Sequence, residues 1–444
     1  MFFAVSIVSV IFIFGLGYPA ANFLCQGKDD SPFIEKVPFI LTTGFLVNYL
    51  ILLSVQSLRL SLLVCLIISF AAFVWFFTQK KPELKIGCKK FRWPYLFIFI
   101  TLLLYYFTIL FDPLEWWDAR SIWFFHAKMI LSAESINHSA GWQNQFIPHA
   151  DYPKLIPALA AQLSYLLGYW NEYSPKFSLF LILIPPVFWI FSFYSHRFSF
   201  LFLVLALPFG LYFWLWNGSM DGYLALYSAV SMLLAGRYFK DRRQLDLLSS
   251  LVCLALVSNL KNEGILVCLT GIFSVAAVEL SSGGFKLSGL KKHFSIYRLI
   301  WLTVIFSPCL TWSVYYKNKW GLANDLKIGT MESFSRIISR LSDGVSFPLI
   351  LQKTIYQNES AVWICLAALI AGIILLKASK RYVHGWIPAL ITAFIYYWGI
   401  AGIYLLTPSN PIWHMDSSSE RTMLTVSSLM IAGIYLIFQE LENE

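Results

Sequence analysis

Carboxylates are concentrated in one polar stretch of this chain, residues 112–157. It contains Asp112, Glu115, Asp118 and Asp151, together with three histidines and several tryptophans. The pattern predicts that a helix starts at Asp118, where the helix dipole favours an ionised carboxylate. An ionised carboxylate could accept the proton of a hydroxyl group as its oxygen attacks an electrophile. The chemistry that this stretch predicts is therefore general-base catalysis, and the alternative for Asp118 is a simple helix cap.

Asp151 lies at the start of the next apolar segment, two residues before Pro153. The proline keeps Tyr152 extended, which would point both Asp151 and Tyr152 along the membrane face. Two carboxylates on neighbouring loops could also hold a divalent cation that bridges a phosphate. Asp118 and Asp151 are therefore the candidate catalytic residues and the candidate metal ligands, although the sequence makes no cofactor certain.

Basic residues that could hold a phosphate group occur at the ends of later apolar segments. Lys261 lies in the turn 260–264, and Arg421 opens the last apolar run. A guanidinium offers a fork of donors that suits phosphate oxygens, and the alternative for each cation is contact with lipid headgroups. The candidate substrate-binding residues are Glu115, Tyr152, Asp221, Lys261, Glu263, His414 and Arg421.

Composition defines the elements that must position these residues. Of 444 residues, 58% are hydrophobic and 13% are charged, whereas a soluble domain has about 25% charged residues. Successive apolar runs of about 20 residues predict an all-α, polytopic transmembrane helix bundle in contact with membrane lipids. The net charge of +9 comes largely from short basic loops, so nucleic acid is not expected as a partner.

The basic loops predict how the chain is oriented. Cytoplasmic loops of membrane proteins are rich in Lys and Arg, and four such loops occur at 80–93, 237–243, 286–298 and 377–381. The polar turns between them, and the loop that starts at Asp112, are then extracytoplasmic. The candidate residues should consequently lie on one face of the membrane.

Counting the spans raises one difficulty. Three apolar segments, 155–170, 177–196 and 199–216, separate two loops that are both predicted outside, so only two of them can cross. The Pro185-Pro186 pair should break the middle segment, which makes it the suspect. With two crossings the chain has about 13 spans.

The chain therefore divides into five predicted regions. An extracytoplasmic catalytic loop carries a juxtamembrane helix with Ile122, Phe125 and Met129 on one face, and a second outer loop should hold interfacial helices. The regions are N-terminal helices 1–111, the catalytic loop 112–154, central helices 155–316, the second outer loop 317–360 and C-terminal helices 361–444.

Residues 110–280 resemble the GT-C superfamily of membrane glycosyltransferases, which includes bacterial aminoarabinose transferases and protein O-mannosyltransferases. Asp118 matches the acid of the family's first outer loop, and the run from Asp151 to Gly168 matches its second motif. Asp221 and Lys261 match the next two outer turns. The chain departs from the family in having Ala119 where an acidic pair is usual, and three additional spans before the loop.

This resemblance implies an enzyme that transfers a sugar, with inversion, from a polyprenyl-phosphate donor to an extracytoplasmic lipid, glycan or protein. Asp118 would be the base, and Arg421, Lys261 or a cation would hold the phosphate. It also implies a bacterial plasma membrane location with the active site outside. The alternatives are a transporter or flippase for lipid-linked saccharides, which would place charges near the bilayer midplane, and an O-antigen-ligase-like protein.

Overall fold

The structure is a computed structural model in which the backbone forms helices almost throughout. It describes residues 2–25, 33–78, 93–137, 147–195, 197–282, 296–322, 326, 330–356, 359–378 and 384–442. Within these residues the one β-type contact is an isolated bridge between Ser57 and Ser135, and nine helices are long and apolar enough to cross a membrane. The predicted all-α class is confirmed, and the chain is an integral membrane protein.

Among the residues that the structure describes, the first half of the chain forms ten helices, most of them rich in Leu, Ile and Phe. A helix satisfies its own backbone hydrogen bonds, which lipid cannot do. The helices are α1 (Phe2–Cys25), α2 (Phe33–Val55), α3 (Leu58–Thr78), α4 (Trp93–Phe111), α5 (Phe124–Ala133), α6 (Leu155–Leu167), α7 (Phe177–Phe191), α8 (Phe198–Val204), α9 (Tyr212–Trp216) and α10 (Asp221–Asp241). A π-helical turn, Ala119–Trp123, leads into α5.

Within the described residues, the second half adds nine helices and one further long loop segment. They are α11 (Gln244–Val257), α12 (Glu263–Ser282), α13 (Ile296–Leu310), α14 (Lys317–Lys319), α15 (Met331–Ser342), α16 (Ser346–Leu351), α17 (Glu359–Ala378), α18 (Ile387–Leu406) and α19 (Pro411–Leu441). A π-helical turn, Thr311–Tyr316, joins α13 to α14. The last helix, α19, is the longest at 31 residues.

Helix α10 lies at the centre of the bundle and is buried along almost its whole length. It packs against α7, α11, α18 and α19. Its serines, glycines and tyrosines make it less apolar than the nine span-length helices, and neighbouring helices rather than lipid satisfy these groups, as when Ser231 Oγ donates to the Ser250 carbonyl at 2.9 Å. Asp221 is the first residue of this shielded helix.

Helix α6 belongs to the first of the three apolar segments, 155–170. At its start the Lys154 ammonium contacts His126 of the outer loop at 3.0 Å. Shortly after its end, Lys176 donates to the Asp112 carbonyl of the same loop. The residues that flank this 13-residue helix on both sides therefore contact the same loop.

The expectation that the Pro185-Pro186 pair breaks the 177–196 segment is wrong. Helix α7 runs without interruption through Pro185 and Pro186, and the span-length unit is Ser174–Phe191. Pro186 lacks the N–H that would bond the Ile182 carbonyl four residues earlier. The buried Tyr227 hydroxyl of α10 donates to that carbonyl at 2.7 Å. A distant side chain thus replaces the hydrogen bond that the proline removes.

We expect Tyr227→Phe to destabilise the protein by about 1–3 kcal/mol, because it leaves the Ile182 carbonyl buried without a donor. The midpoint of thermal unfolding in detergent should fall accordingly. Tyr173→Phe, at an exposed position, is the matched control. Equal midpoints for the two variants would show that the tyrosine does not support the helix at the proline pair.

The second outer loop contains the amphipathic helix α15. Phe334, Ile338 and Leu341 are exposed on one side. On the other side, Arg340 donates to the backbone carbonyls of Tyr404, Leu405, Thr407 and Ser409 at the end of α18. An exposed apolar face beside the end of a spanning helix is the pattern of an interfacial helix, as predicted for this loop.

Candidate functional site

Five ionisable residues form a chain of alternating charge. Arg421 Nη1 donates to Asp118 Oδ2, and it lies 3.9 Å from Asp221 Oδ2. Lys261 Nζ lies 2.9 Å from Asp221 Oδ1 and 3.3 Å from Glu263 Oε1. We call these five residues the ion-pair chain. Residues more than 300 positions apart, Asp118 and Arg421, thereby meet at one end of the bundle.

The centre of the ion-pair chain is shielded from solvent. Asp221 is 2% exposed and Lys261 is 5% exposed, and buried charges persist only when they are paired. Burial alone would lower the pKa of Lys261, but the Asp221 and Glu263 carboxylates reverse this and hold its pKa well above the ordinary value. Lys261 is therefore a fixed positive charge at neutral pH.

Local sequence explains how the turn that carries Lys261 and Glu263 is held. Asp221 and Glu263 each begin a helix, where the partial positive charge of the helix terminus favours a carboxylate. Gly264 follows Glu263, and a Cβ atom at this position would lie 2.0 Å from the Val257 carbonyl oxygen. Only glycine permits this approach, so α11 and α12 meet in a tight hairpin with its polar turn at the outer end.

Asp151 belongs to a second polar group that adjoins the ion-pair chain. Asn262 Nδ2 donates to Asp151 Oδ2 at 2.6 Å, and Lys317 Nζ lies 3.5 Å from the same oxygen and 2.8 Å from Asn262 Oδ1. Trp312 Nε1 donates to the Asp151 carbonyl at 3.0 Å. Since Asn262 stands between Lys261 and Glu263, the two groups share one turn.

Sequence reasoning missed Asn262, Trp312 and Lys317. Asn262 lies within the polar turn 260–264, and its neighbours on both sides are ionisable. That pattern could have identified it, because a short polar turn between two apolar helices lies at one surface of the membrane. Lys317 follows a spanning helix directly and has the signature of any headgroup contact, so nothing local distinguishes it.

A divalent cation shared by Asp118 and Asp151 does not fit the donor set. The Asp118 carboxylate faces a guanidinium, and the Asp151 carboxylate faces an amide N–H and an ammonium. Among the residues that the structure describes, no three His, Cys, Asp or Glu side chains are grouped to hold a metal ion. The sequence predicted a metal ion beside these two carboxylates, and the structure has a cationic side chain beside each of them instead.

Lys154 holds the loop that presents Asp151. Its ammonium is fully buried, donates to the Ala150 carbonyl at 2.9 Å, contacts His126 Nδ1 at 3.0 Å and lies 5.2 Å from the centre of the Trp312 ring. His126 Nε2 in turn lies 3.0 Å from the Pro148 carbonyl. Burial holds the pKa of Lys154 well below its ordinary value, against the opposing effect of Asp151.

We expect Lys154 to give the folded protein a measurable pH dependence. Its pKa is depressed in the folded state, so below the ordinary value of 10.5 the unfolded chain binds more protons. Stability should therefore rise with pH up to about 10.5 and lose this contribution as the pH falls through the folded pKa. Lys261, whose pKa is raised in the folded state, should make stability fall with rising pH, but only above its ordinary pKa of 10.5.

The measurement is the thermal unfolding midpoint from neutral pH upward. Lys154→Met should flatten the rise, whereas Lys128→Met, which removes a lysine with a 47% exposed side chain, should leave it unchanged. A slope identical in wild type and Lys154→Met would exclude Lys154 as its source.

Two further predicted residues lie beside the ion-pair chain. The Tyr152 ring stacks on His149 with the ring centres 4.6 Å apart. Burial, reinforced by the Glu263 carboxylate, raises the pKa of Tyr152 well above its ordinary value. The His414 ring meets Tyr404 edge-on at 5.1 Å, and the charges of Glu263, Lys261 and Arg421 act on it.

Other predicted features are not part of the site. Glu115 is exposed, and Asp112 pairs with Lys176 instead. Asp118 begins a helix as predicted, but its side chain makes no capping hydrogen bond. The buried face of that helix carries Ala119, Trp123, His126, Ala127 and Ile130 besides the predicted Ile122, while Phe125 and Met129 are half-exposed. The face is rotated because α5 packs against α6.

Comparison with known proteins gives no relative of this chain: no protein family, no curated protein and no solved structure matches it. The function therefore has to be argued from the geometry of the site.

Proposed function

We propose that the protein is a membrane glycosyltransferase of the GT-C type, which transfers a sugar from a polyprenyl-phosphate donor to an extracytoplasmic acceptor. The observation that carries this proposal is the contact between Asp118 and Arg421 at the outer end of the bundle. A carboxylate that could take a proton and a guanidinium that could hold a phosphate are adjacent there.

The proposed reaction assigns one role to each charged group. The acceptor hydroxyl oxygen attacks the anomeric carbon from the face opposite the phosphate, and its proton passes to Asp118. The bond between the anomeric carbon and the phosphate oxygen breaks, which inverts the configuration. Arg421, with Lys261 beside it, stabilises the charge on the departing lipid phosphate. Asp221 positions both cations, since it contacts each of them.

In this proposal the Asp151 carboxylate contacts substrate rather than a metal ion. Its carboxylate is fixed by Asn262 and Lys317, and its backbone by Trp312. A carboxylate held on several sides keeps its geometry while a substrate binds and leaves. In this proposal Tyr152 and His414 line the same opening.

The proposed setting is the bacterial plasma membrane, with the ion-pair chain on the extracytoplasmic side. The contacts of α6 support a count of 13 crossings, because they leave 177–191 and 198–216 as the two segments that cross. The basic loops support the orientation. Charges gathered at one end of the bundle favour a transferase over a transporter, whose charges lie near the midplane.

The test is a transfer assay with purified protein in lipid nanodiscs and a polyprenyl-phosphate sugar labelled in the sugar. Accumulation of label in a membrane-extract acceptor, with release of polyprenyl phosphate, supports the proposal. In sealed vesicles, movement of intact labelled donor across the bilayer without transfer would identify a transporter instead and overturn it.

A further inference from the structure

Four site residues carry a buried acceptor atom that no donor among the described residues reaches. The atoms are Asp151 Oδ1, Asp221 Oδ2, Glu263 Oε2 and His414 Nδ1. A buried acceptor without a donor costs about 1–3 kcal/mol. Four such atoms in one site indicate that a hydrogen-bond donor from outside the chain completes it.

The four acceptors surround the single turn between α11 and α12. Lys261 in this turn contacts both Asp221 and Glu263, and Asn262 contacts Asp151. His414 lies on α19, within the electrostatic influence of Glu263 and Lys261. The four atoms therefore belong to four separate elements that interact with this turn.

Several donors of the site are already engaged, whereas the buried Tyr396 hydroxyl, on which the charges of Glu263, Lys261 and Asp221 act, has no hydrogen-bond partner among the described residues. Asn262 Nδ2 donates to Asp151, and Lys317 Nζ donates to Asn262. Arg421 uses one nitrogen on Asp118 and the other on the Ser417 carbonyl. The four carboxylates of the site each pair with a cation through one oxygen: Asp118 with Arg421, Asp221 and Glu263 with Lys261, and Asp151 with Lys317.

We infer that these acceptors form the subsite for the sugar ring of the lipid-linked donor, and that the sugar is an uncharged, hydroxyl-rich one. Each ring hydroxyl donates one hydrogen bond, which is what the unpaired oxygens and the imidazole nitrogen require. A uronic acid would bring a further carboxylate against the unpaired carboxylate oxygens of Asp151, Asp221 and Glu263, which have no hydrogen to donate to it. The inference rests on the proposed function.

The test compares three lipids in equilibrium binding to the whole protein in nanodiscs of stated phospholipid. They are polyprenyl phosphate, polyprenyl-phosphate glucose and polyprenyl-phosphate glucuronic acid. The wild type should bind the glucosyl lipid about tenfold more tightly than the bare lipid, and more tightly than the glucuronyl lipid. Glu263→Gln should lower the first ratio, because an uncharged amide oxygen is a weaker acceptor for a ring hydroxyl than a carboxylate oxygen.

Two further variants keep the test decisive. His414→Phe preserves the edge-on contact with Tyr404 but removes the acceptor nitrogen, so it should also lower the ratio. Glu172→Gln makes the same chemical change as Glu263→Gln at an exposed glutamate paired with Lys128, and should leave the ratio at its wild-type value.

The outcomes separate the subsite from the function. If the wild type binds bare and glucosyl lipid equally, the subsite is wrong although the proposed function stands. If it binds glucuronyl lipid as tightly as glucosyl lipid, the assigned sugar class is wrong. If it binds none of the three lipids, the proposed function fails and the subsite with it.

Discussion

Asp118→Asn should lower the rate of sugar transfer by about a thousandfold, because a positioned general base contributes about 10²- to 10⁴-fold. An amide cannot accept the proton of the attacking hydroxyl. The variant should nevertheless bind the donor at least as tightly as the wild type. In the structure the guanidinium of Arg421 donates a hydrogen bond to the Asp118 carboxylate. This carboxylate competes with the donor phosphate for Arg421, and the substitution removes its negative charge.

The measurements are single-turnover transfer and equilibrium donor binding, made on the same preparation. Asp112→Asn is the matched control, since it changes the same group in the same loop. Lys176 keeps its bond to the backbone carbonyl of residue 112 in that variant. Transfer at the wild-type rate in Asp118→Asn would remove Asp118 as the base. Equal losses in the two variants would point to a general effect on the loop.

Asp221→Leu should be the most destabilising of the site substitutions, at about 3–5 kcal/mol. It leaves the Lys261 ammonium buried, with its nearest carboxylate now that of Glu263 at 3.3 Å. The double variant Asp221→Leu, Lys261→Met should recover most of this loss, because replacing a buried ion pair by apolar residues is often nearly neutral.

A double-mutant cycle of equilibrium unfolding in mixed micelles measures the coupling between Asp221 and Lys261. We expect the double variant to be inactive in transfer even though its stability is recovered, since it lacks the charges that hold Arg421 and the phosphate. Additive losses, with the double variant less stable than either single variant, would contradict a direct ion pair.

The all-helical class and the membrane location followed from the sequence because lipid leaves the backbone few alternatives. Long runs of Leu, Ile and Phe between basic loops admit one interpretation. The burial of helix α10 could not be predicted in this way. Its serines and tyrosines weaken the apolar signal, and only the packing of other helices around it explains how such a segment remains buried.

Which charged groups would meet was beyond sequence reasoning. Hydropathy places Asp118 and Arg421 on one face, but contains no information on which helices are neighbours. The carboxylates of Asp118 and Asp151 suggested a metal, whereas the fold supplies Arg421, Lys317 and Asn262 to them. The local sequence around a carboxylate does not indicate whether its partner in the fold is a metal ion or a lysine.

The two prolines of α7 wrongly predicted a break in the helix, again because a long-range contact decides the outcome. Local rules predict a break at Pro185 and Pro186, yet the Tyr227 hydroxyl compensates from another helix. The shorter α6, which contains Pro157 near its start, is the segment whose two flanks contact the same loop. Hydropathy alone does not distinguish these two segments, and only their long-range contacts do.

The short helix α11 has a consequence for how the donor lipid must sit in the bilayer. Its 14 residues reach about 21 Å at 1.5 Å per residue, which is less than the hydrocarbon thickness of about 30 Å. Lys261 follows its outer end, so a phosphate beside Lys261 would lie below the headgroup plane of a bilayer of ordinary thickness. Either the hydrophobic mismatch thins the membrane locally or water follows the headgroup inward, and turnover should then depend on the acyl-chain length of the surrounding lipid.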